Sequence, residues 1–83
     1  MDHVFRCSLE WTGAAGGATT HYDHYRRDYR VDFPDKPSLL GSAAPAFRGD
    51  GSLHNPEDLL VAALSACHCL SYLALCARAR IPW

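Results

Sequence analysis

Three thiols and an imidazole lie within ten consecutive residues of the most apolar part of this chain. They belong to Cys67, His68, Cys69 and Cys76, and residues 59–77 around them carry no formal charge. A thiolate is a nucleophile, a metal ligand and a group that peroxides oxidise, whereas a buried neutral thiol only packs. Four interpretations therefore compete for this segment: a membrane span, a metal site, a plain core and a reactive thiol.

A long helix must position these groups. Asn55 is a favourable N-cap residue, Pro56 suits the first helical position and Pro82 stops the pattern, so the sequence predicts a helix over residues 56–79. Its apolar residues surround the axis instead of forming one stripe. Such a helix must be buried against other structure.

Two strands are predicted ahead of the helix. Residues 3–11 alternate between a mostly polar set and an apolar set, and residues 20–33 are rich in Tyr, Thr, Val and Phe. The strands should pair antiparallel, because the loop between them is too short for a parallel crossover. Residues 34–54 are predicted to be mostly loop, with a short edge strand near Ser38–Gly41. The expected fold is α+β, and its strands are too few to cover the helix.

Composition excludes some function classes. The chain has 83 residues, 8 Lys and Arg against 9 Asp and Glu, and a formal net charge of −1, without a run of one sign. It therefore has no electrostatic footprint for nucleic acid. The N-terminal residues show no apolar export signal, which predicts a cytoplasmic protein with free, metal-bound or redox-active thiols.

The composition of the helix argues against a membrane span. Its length would suffice, since about 20 apolar residues cross a bilayer. However, the predicted helix contains six alanines, two serines, a tyrosine and a histidine, which make it only mildly hydrophobic. We therefore expect no membrane partner.

Helix geometry argues against a metal site. Successive helical residues turn by about 100°, so Cys67 and Cys69 point about 200° apart, and no CxxC motif is present. We expect no metal and no other cofactor. Cys7, Cys69 and Cys76 are interpreted as packing residues. Cys67 remains open between packing and reactivity, since a mid-helix thiol needs a cation from outside the helix to become reactive.

The segment NPEDLLVAALSACHCLSYLALCAR resembles the central helix of the OsmC/Ohr family of thiol peroxidases. It has an Asn-Pro-Glu start, a run of small and apolar residues, and a cysteine ten residues after the glutamate, since Cys67 follows Glu57 at that spacing. The segment SLEWTG near the N-terminus is similar to the first strand of the family. SAAPAFRGDGSLHNPEDLL resembles an OsmC-like subgroup more than Ohr itself.

The resemblance implies reduction of organic hydroperoxides and other peroxides in defence against oxidative stress. Cys67 matches the peroxidatic cysteine, and Glu57 matches the glutamate that holds an activating arginine. Two arginines are candidates: Arg27 resembles the arginine of the Ohr branch, and Arg48 that of the OsmC branch. An external thiol reductant would complete the cycle.

Helix geometry adds an inference about the assembly. Ten residues separate Glu57 from Cys67, which amounts to about 15 Å along the axis and about 80° around it. The two side chains cannot form one site within one helix, so a shared site would combine two chains. This fits the intertwined homodimers that the resemblance implies.

One departure from the family limits the resemblance. The resemblance implies that the sequence covers roughly the N-terminal half of an OsmC-like domain, and none of Cys7, Cys69 and Cys76 matches the family's resolving cysteine. A catalytic cycle within this half would be impaired. The alternative is a truncated fragment or a non-catalytic dimerisation module whose thiols are simply buried.

Overall fold

The computed structural model describes residues 2–82, in which a three-stranded antiparallel sheet precedes one long helix. β1 spans Ser8–Glu10, β2 spans Tyr29–Phe33, β3 spans Lys36–Gly41, and α1 spans Pro56–Arg78. The strands lie side by side in the order β1-β2-β3, each antiparallel to its neighbour. The predicted α+β class and the antiparallel pairing of the N-terminal strands are confirmed.

β1 is shorter and more exposed than the alternation of residues 3–11 predicts. It pairs with β2 through Ser8 opposite Asp32 and Leu9 opposite Val31. Leu9 is 64% exposed and Phe5 is 91% exposed, although both belong to the apolar set. Such alternation is typical of a strand with one face buried, but among residues 2–82 no second layer covers that face of the sheet, so the expectation of a half-buried strand is wrong here.

β2 begins at Tyr29, so the predicted strand over residues 20–33 holds only at its C-terminal end. The residues before it form turns. The backbone N–H of His24 donates to the carbonyl oxygen of His21 at 3.0 Å, and the N–H of Asp23 donates to His21 Nδ1 at 3.2 Å. Local hydrogen bonds of this kind compete with a strand ladder, and composition alone does not reveal them.

β3 is the predicted edge strand, extended to six residues. It follows β2 through a tight turn in which Asp35 has a left-handed φ of 58°, and Phe33 pairs with Lys36 across that turn. The segment predicted as a loop over 34–54 therefore contains a strand. It also contains a short 3-10 turn at Pro45–Phe47.

The segment from Ser42 to Asn55 joins β3 to α1 as a tightly closed loop. Ser42 is fully buried, its N–H donates to the carbonyl oxygen of His54 at 2.9 Å, and its hydroxyl accepts from the N–H of Asp50 at 3.1 Å. Gly49 packs so closely on the backbone of Ala43 that a Cβ at position 49 would lie 1.6 Å from the Ala43 carbonyl oxygen. The loop thus fixes where α1 begins.

α1 begins as the sequence predicts and ends one residue earlier than predicted. The Asn55 side chain accepts from the N–H of Asp58 at 2.9 Å, and the Asp58 carboxylate accepts from the N–H of Asn55. This reciprocal capping box satisfies N–H groups that a helix start leaves without partners. Pro56 occupies the first turn, where its missing N–H costs nothing.

The described part of the chain leaves α1 almost uncovered. Cys76 is its one buried residue, whereas Leu60 and Leu64 are each 71% exposed and Leu70 is 68% exposed. The expectation that the strands cannot cover the helix is confirmed. α1 is also long and apolar enough to cross a membrane, a test that core helices of soluble proteins and signal sequences pass as well.

Candidate functional site

Cys67 lies exposed in a shallow groove that runs along one face of α1. The groove is formed by residues three, four or seven positions apart, which share a helix face: Ala63, Ala66, Cys67, Leu70, Ser71, Ala74 and Arg78. Small side chains make the floor, so a peroxide or a second helix can approach the sulfur. The described residues leave this thiol open to solvent instead of packing it into a core.

Arg78 is the cation on the face that carries Cys67. Eleven residues separate the two, which is three turns plus about 20° around the axis and roughly 16 Å along it. An opposite charge shifts a pKa strongly only within about 4–6 Å, so Arg78 is too far away to stabilise a Cys67 thiolate in its own helix. Any activating cation must come from elsewhere.

Glu57 lies in the first turn of α1, where the positive end of the helix dipole stabilises a negative charge. Its carboxylate acts on Tyr29 of β2. Burial, and secondarily the charge of Glu57, raise the pKa of the Tyr29 phenol above its ordinary value. The Tyr29 ring covers Gly41 so closely that a Cβ there would lie 2.4 Å from the hydroxyl oxygen. Glu57 therefore lies at the end of α1 that is near the sheet, about 15 Å along the helix axis from Cys67.

Arg27 is clamped in the turn before β2. Its guanidinium carbon lies 3.8 Å from the ring centroid of Tyr25 and 4.8 Å from that of Tyr22. Its two Nη atoms donate to the carbonyl oxygens of the same two tyrosines, at 2.7 Å for Tyr25. Cation–π contacts and carbonyl oxygens hold this cation without neutralising it by a carboxylate.

Arg48 follows the short 3-10 turn and has a left-handed φ of 67°. Its Nε donates to Asp23 Oδ1 at 2.8 Å, and this hydrogen bond is the main reason why the pKa of Arg48 lies above its ordinary value. The contact ties the loop after β3 to the turns before β2. Arg48 is therefore already occupied by a carboxylate.

Within residues 2–82, the four predicted site residues do not converge. No ion pair joins Glu57 to Arg27 or Arg48, and none of these three lines the groove of Cys67. One chain therefore supplies an accessible thiol without the charged groups that would activate it.

The remaining cysteines divide into two groups. Cys76 is buried, as predicted for a packing residue, whereas Cys7 and Cys69 are exposed. The interpretation of Cys7 and Cys69 as packing residues is not supported by the described chain, because neither the sheet face nor that side of α1 is covered. Among residues 2–82, no three His, Cys, Asp or Glu side chains come together as a metal site.

Two residues of interest were missed by sequence reasoning. Arg78 shares the face of Cys67, and its spacing of eleven residues would have revealed this. Tyr29 is the second, because its ring covers Gly41 and the charge of Glu57 contributes to its raised pKa. Both depend on the register of β2 on β3, which pairs Tyr29 with Gly41. That register depends on the turn at residues 34–35, and the strand composition does not specify it.

Comparisons with protein-family models, with curated proteins and with solved structures give no match for this chain.

Proposed function

We propose that this chain is an OsmC-like, cysteine-dependent peroxidase that reduces organic hydroperoxides as a homodimer. The observation that carries the proposal is the position of Cys67, an accessible thiol in the groove of an apolar helix that its own chain leaves uncovered. A second helix lying antiparallel on the first would cover that apolar surface. It would also bring the acidic end of one helix towards Cys67 of the other.

The chemical step is a two-electron oxidation of Cys67. The thiolate attacks one oxygen of the hydroperoxide, an S–O bond forms and the O–O bond breaks. The leaving alkoxide takes a proton to become the alcohol, and the sulfur becomes a sulfenic acid. One external thiol then displaces water to form a mixed disulfide, and a second external thiol releases Cys67 as the reduced thiol.

Arg27 is the better of the two candidates for the arginine that Glu57 would hold. Its charge is held by aromatic rings and carbonyl oxygens, whereas Arg48 already pairs with Asp23. Recruiting Arg48 would require breaking that pair, and recruiting Arg27 would require only that it leave neutral partners. The arginine would favour the thiolate and polarise the peroxide.

Peroxide consumption with a dithiol reductant tests the proposal. We expect Cys67→Ser to lower the rate by at least about tenfold and Cys69→Ser, which removes an exposed thiol from another face, to leave it nearly unchanged. Arg27→Ala should lower the rate more than Arg48→Ala. Arg26→Ala serves as the matched control, because Arg26 pairs with Asp28 on the exposed surface. Equal rates for wild type and Cys67→Ser would refute the peroxidase.

The second candidate is a non-catalytic dimerisation module, which the exposed leucines of α1 favour. Thiol titration separates the two functions. A peroxidase should show one fast-reacting thiol at neutral pH that Cys67→Ser removes, whereas a module should show only equally slow thiols.

A cytoplasmic location belongs to the proposal. A reducing compartment would keep the four cysteines as the free thiols that the proposed reaction needs. Cell fractionation tests the location. Recovery in the membrane fraction, with release only by detergent, would instead assign α1 to a bilayer.

A further inference from the structure

A pocket lies at the end of the sheet opposite the loop that leads into α1. Ser8 pairs with Asp32, so the residues before Ser8 run beside Phe33 and the turn that follows it. The pocket has a volume of about 450 Å³, within the roughly 300–1,000 Å³ typical of small-molecule sites. It is lined by Val4, Phe5, Arg6, Cys7, Phe33, Pro34 and Lys36.

Two cations of this pocket have no counter-charge. Arg6 and Lys36 form no salt bridge with any carboxylate among residues 2–82. By contrast, Arg26, Arg30 and Arg48 each pair with a carboxylate at 2.8–3.1 Å. Asp35 lies between Pro34 and Lys36 in the chain but neither pairs with these cations nor lines the pocket, so their positive charge is available to an external anion.

The rest of the wall is apolar and accessible. Phe5 is 91% exposed, Val4 is 68% exposed and Phe33 is 38% exposed. A hydrocarbon group that covers these side chains removes apolar surface from water, at roughly 25 cal/mol for each Å² buried. An anion without an apolar part would leave this surface wet.

One carboxylate lies in the adjoining groove, and its own partners hold it. Asp32 accepts hydrogen bonds from the Ser38 hydroxyl and from Arg30 Nε, the latter at 3.1 Å to each oxygen. Asp32 is thus paired within the sheet and does not neutralise Arg6 or Lys36.

From this combination we infer that the pocket binds a small amphipathic carboxylate, with the anionic head between Arg6 and Lys36 and a short alkyl tail against Phe5 and Phe33. Such a site is separate from the groove of Cys67 and does not depend on the proposed peroxidase activity. It would give the sheet end of the molecule a ligand-binding role of its own.

Cys7 provides a reporter within the pocket, and Cys67 and Cys69 provide internal controls on α1. The experiment measures the labelling rate of each cysteine by peptide mass spectrometry, with and without octanoate. We expect saturating octanoate to slow labelling of Cys7 by about fivefold or more and to leave Cys67 and Cys69 within about twofold.

Ligand analogues and variants test each part of the inference. Octanol and octylammonium should protect Cys7 much less than octanoate, and inorganic phosphate should protect it weakly. Arg6→Gln and Lys36→Gln should each weaken octanoate protection by at least about threefold. Arg80→Gln, which removes one charge at the far end of α1, should not weaken it.

Three outcomes would overturn the inference. Equal protection by octanol would mean that the cations contribute nothing, and equal protection by phosphate would mean the same for the apolar wall. Protection of Cys67 in place of Cys7 would show that octanoate simply coats the apolar helix.

Discussion

The sheet half of this molecule, which is the sheet with the loop after it, and the helix half, which is α1, differ in how far their side chains are covered. The sheet and the loop after it close on themselves, with Ser42 fully buried and its hydrogen bonds made to His54 and Asp50. α1 differs, because the N–H groups at its start are hydrogen-bonded by a complete capping box while its leucine side chains are exposed to solvent. Polar contacts therefore hold the first half, whereas the described residues leave the apolar surface of the second half exposed.

The candidate site residues are also divided between the two halves. Arg27 and Arg48 are held in the sheet half, by two tyrosine rings and by Asp23 respectively, and Glu57 lies in the first turn of α1. Cys67 lies in the helix half. In the proposed dimer, a site that uses all of these groups would bring the sheet half of one molecule against the helix half of the other.

The largest effect is expected on dimerisation, from a charge placed on the apolar surface of α1. Leu64→Arg places a charge on the uncovered apolar face of α1 and should raise the dimer dissociation constant by more than about tenfold. Light scattering after size-exclusion chromatography measures this. Leu40→Arg is the matched control, since Leu40 is an exposed leucine of β3. A wild-type monomer at working concentration would contradict the proposed dimer.

The next effect tests the closed loop of the sheet half. Gly49→Ala forces a Cβ to within 1.6 Å of the Ala43 carbonyl oxygen. Backbone must move, so we expect a loss of about 1–3 kcal/mol or more in the free energy of unfolding. Gly51→Ala is the control, because its Cβ would lie 3.1 Å from the Pro45 ring and needs only a small adjustment. Equal stability of the two variants in urea unfolding would contradict the packing described for this loop.

A smaller effect is expected at the junction between the halves. Asn55→Ala removes the acceptor for the N–H of Asp58 and should cost about 1 kcal/mol of helix stability. Asn55→Asp keeps an acceptor at the same place and should cost little. Far-ultraviolet circular dichroism during urea unfolding measures both variants. A cap that contributes nothing would leave Asn55→Ala as stable as wild type.

Local signals explain which features the sequence predicts well. The start of α1 depends on Asn55, Pro56 and Asp58, which are close neighbours in the chain, so its position follows from sequence alone. The strand bounds depend on partners that are distant in sequence. β2 loses its predicted first nine residues because His21 and the carbonyl oxygens of two tyrosines make local contacts that composition does not reveal.

The site was only partly predictable for the same reason. Accessibility of Cys67 follows from the absence of a covering layer, and the sequence indicated that cover was insufficient. The partners of the arginines do not follow from spacing, because Arg48 meets Asp23 across 25 residues of chain. In the proposed dimer, their relation to Cys67 would depend on a second molecule, which one sequence does not position.

The smallest expected effect is a loss of stability at acid pH, which should arise in the sheet half. A hydrogen bond from the Ser38 hydroxyl, and then one from Arg30, lower the pKa of Asp32 below its ordinary value. The folded state therefore binds this proton more weakly than the unfolded state does. The resulting stabilisation is present above about pH 4 and is lost as the pH falls through the lowered pKa.

Asp32→Asn and Ser38→Ala should both flatten the acid limb of the stability profile, measured by urea unfolding at a series of pH values from about 5 to 2. Asp35→Asn removes a neighbouring carboxylate that has no hydrogen-bond or salt-bridge partner among residues 2–82, so it serves as the control. Because the Asp32 side chain is still 38% exposed, solvent screens the contribution and the change should be small. Acid sensitivity that is unchanged in both Asp32→Asn and Ser38→Ala would contradict this assignment to the sheet half.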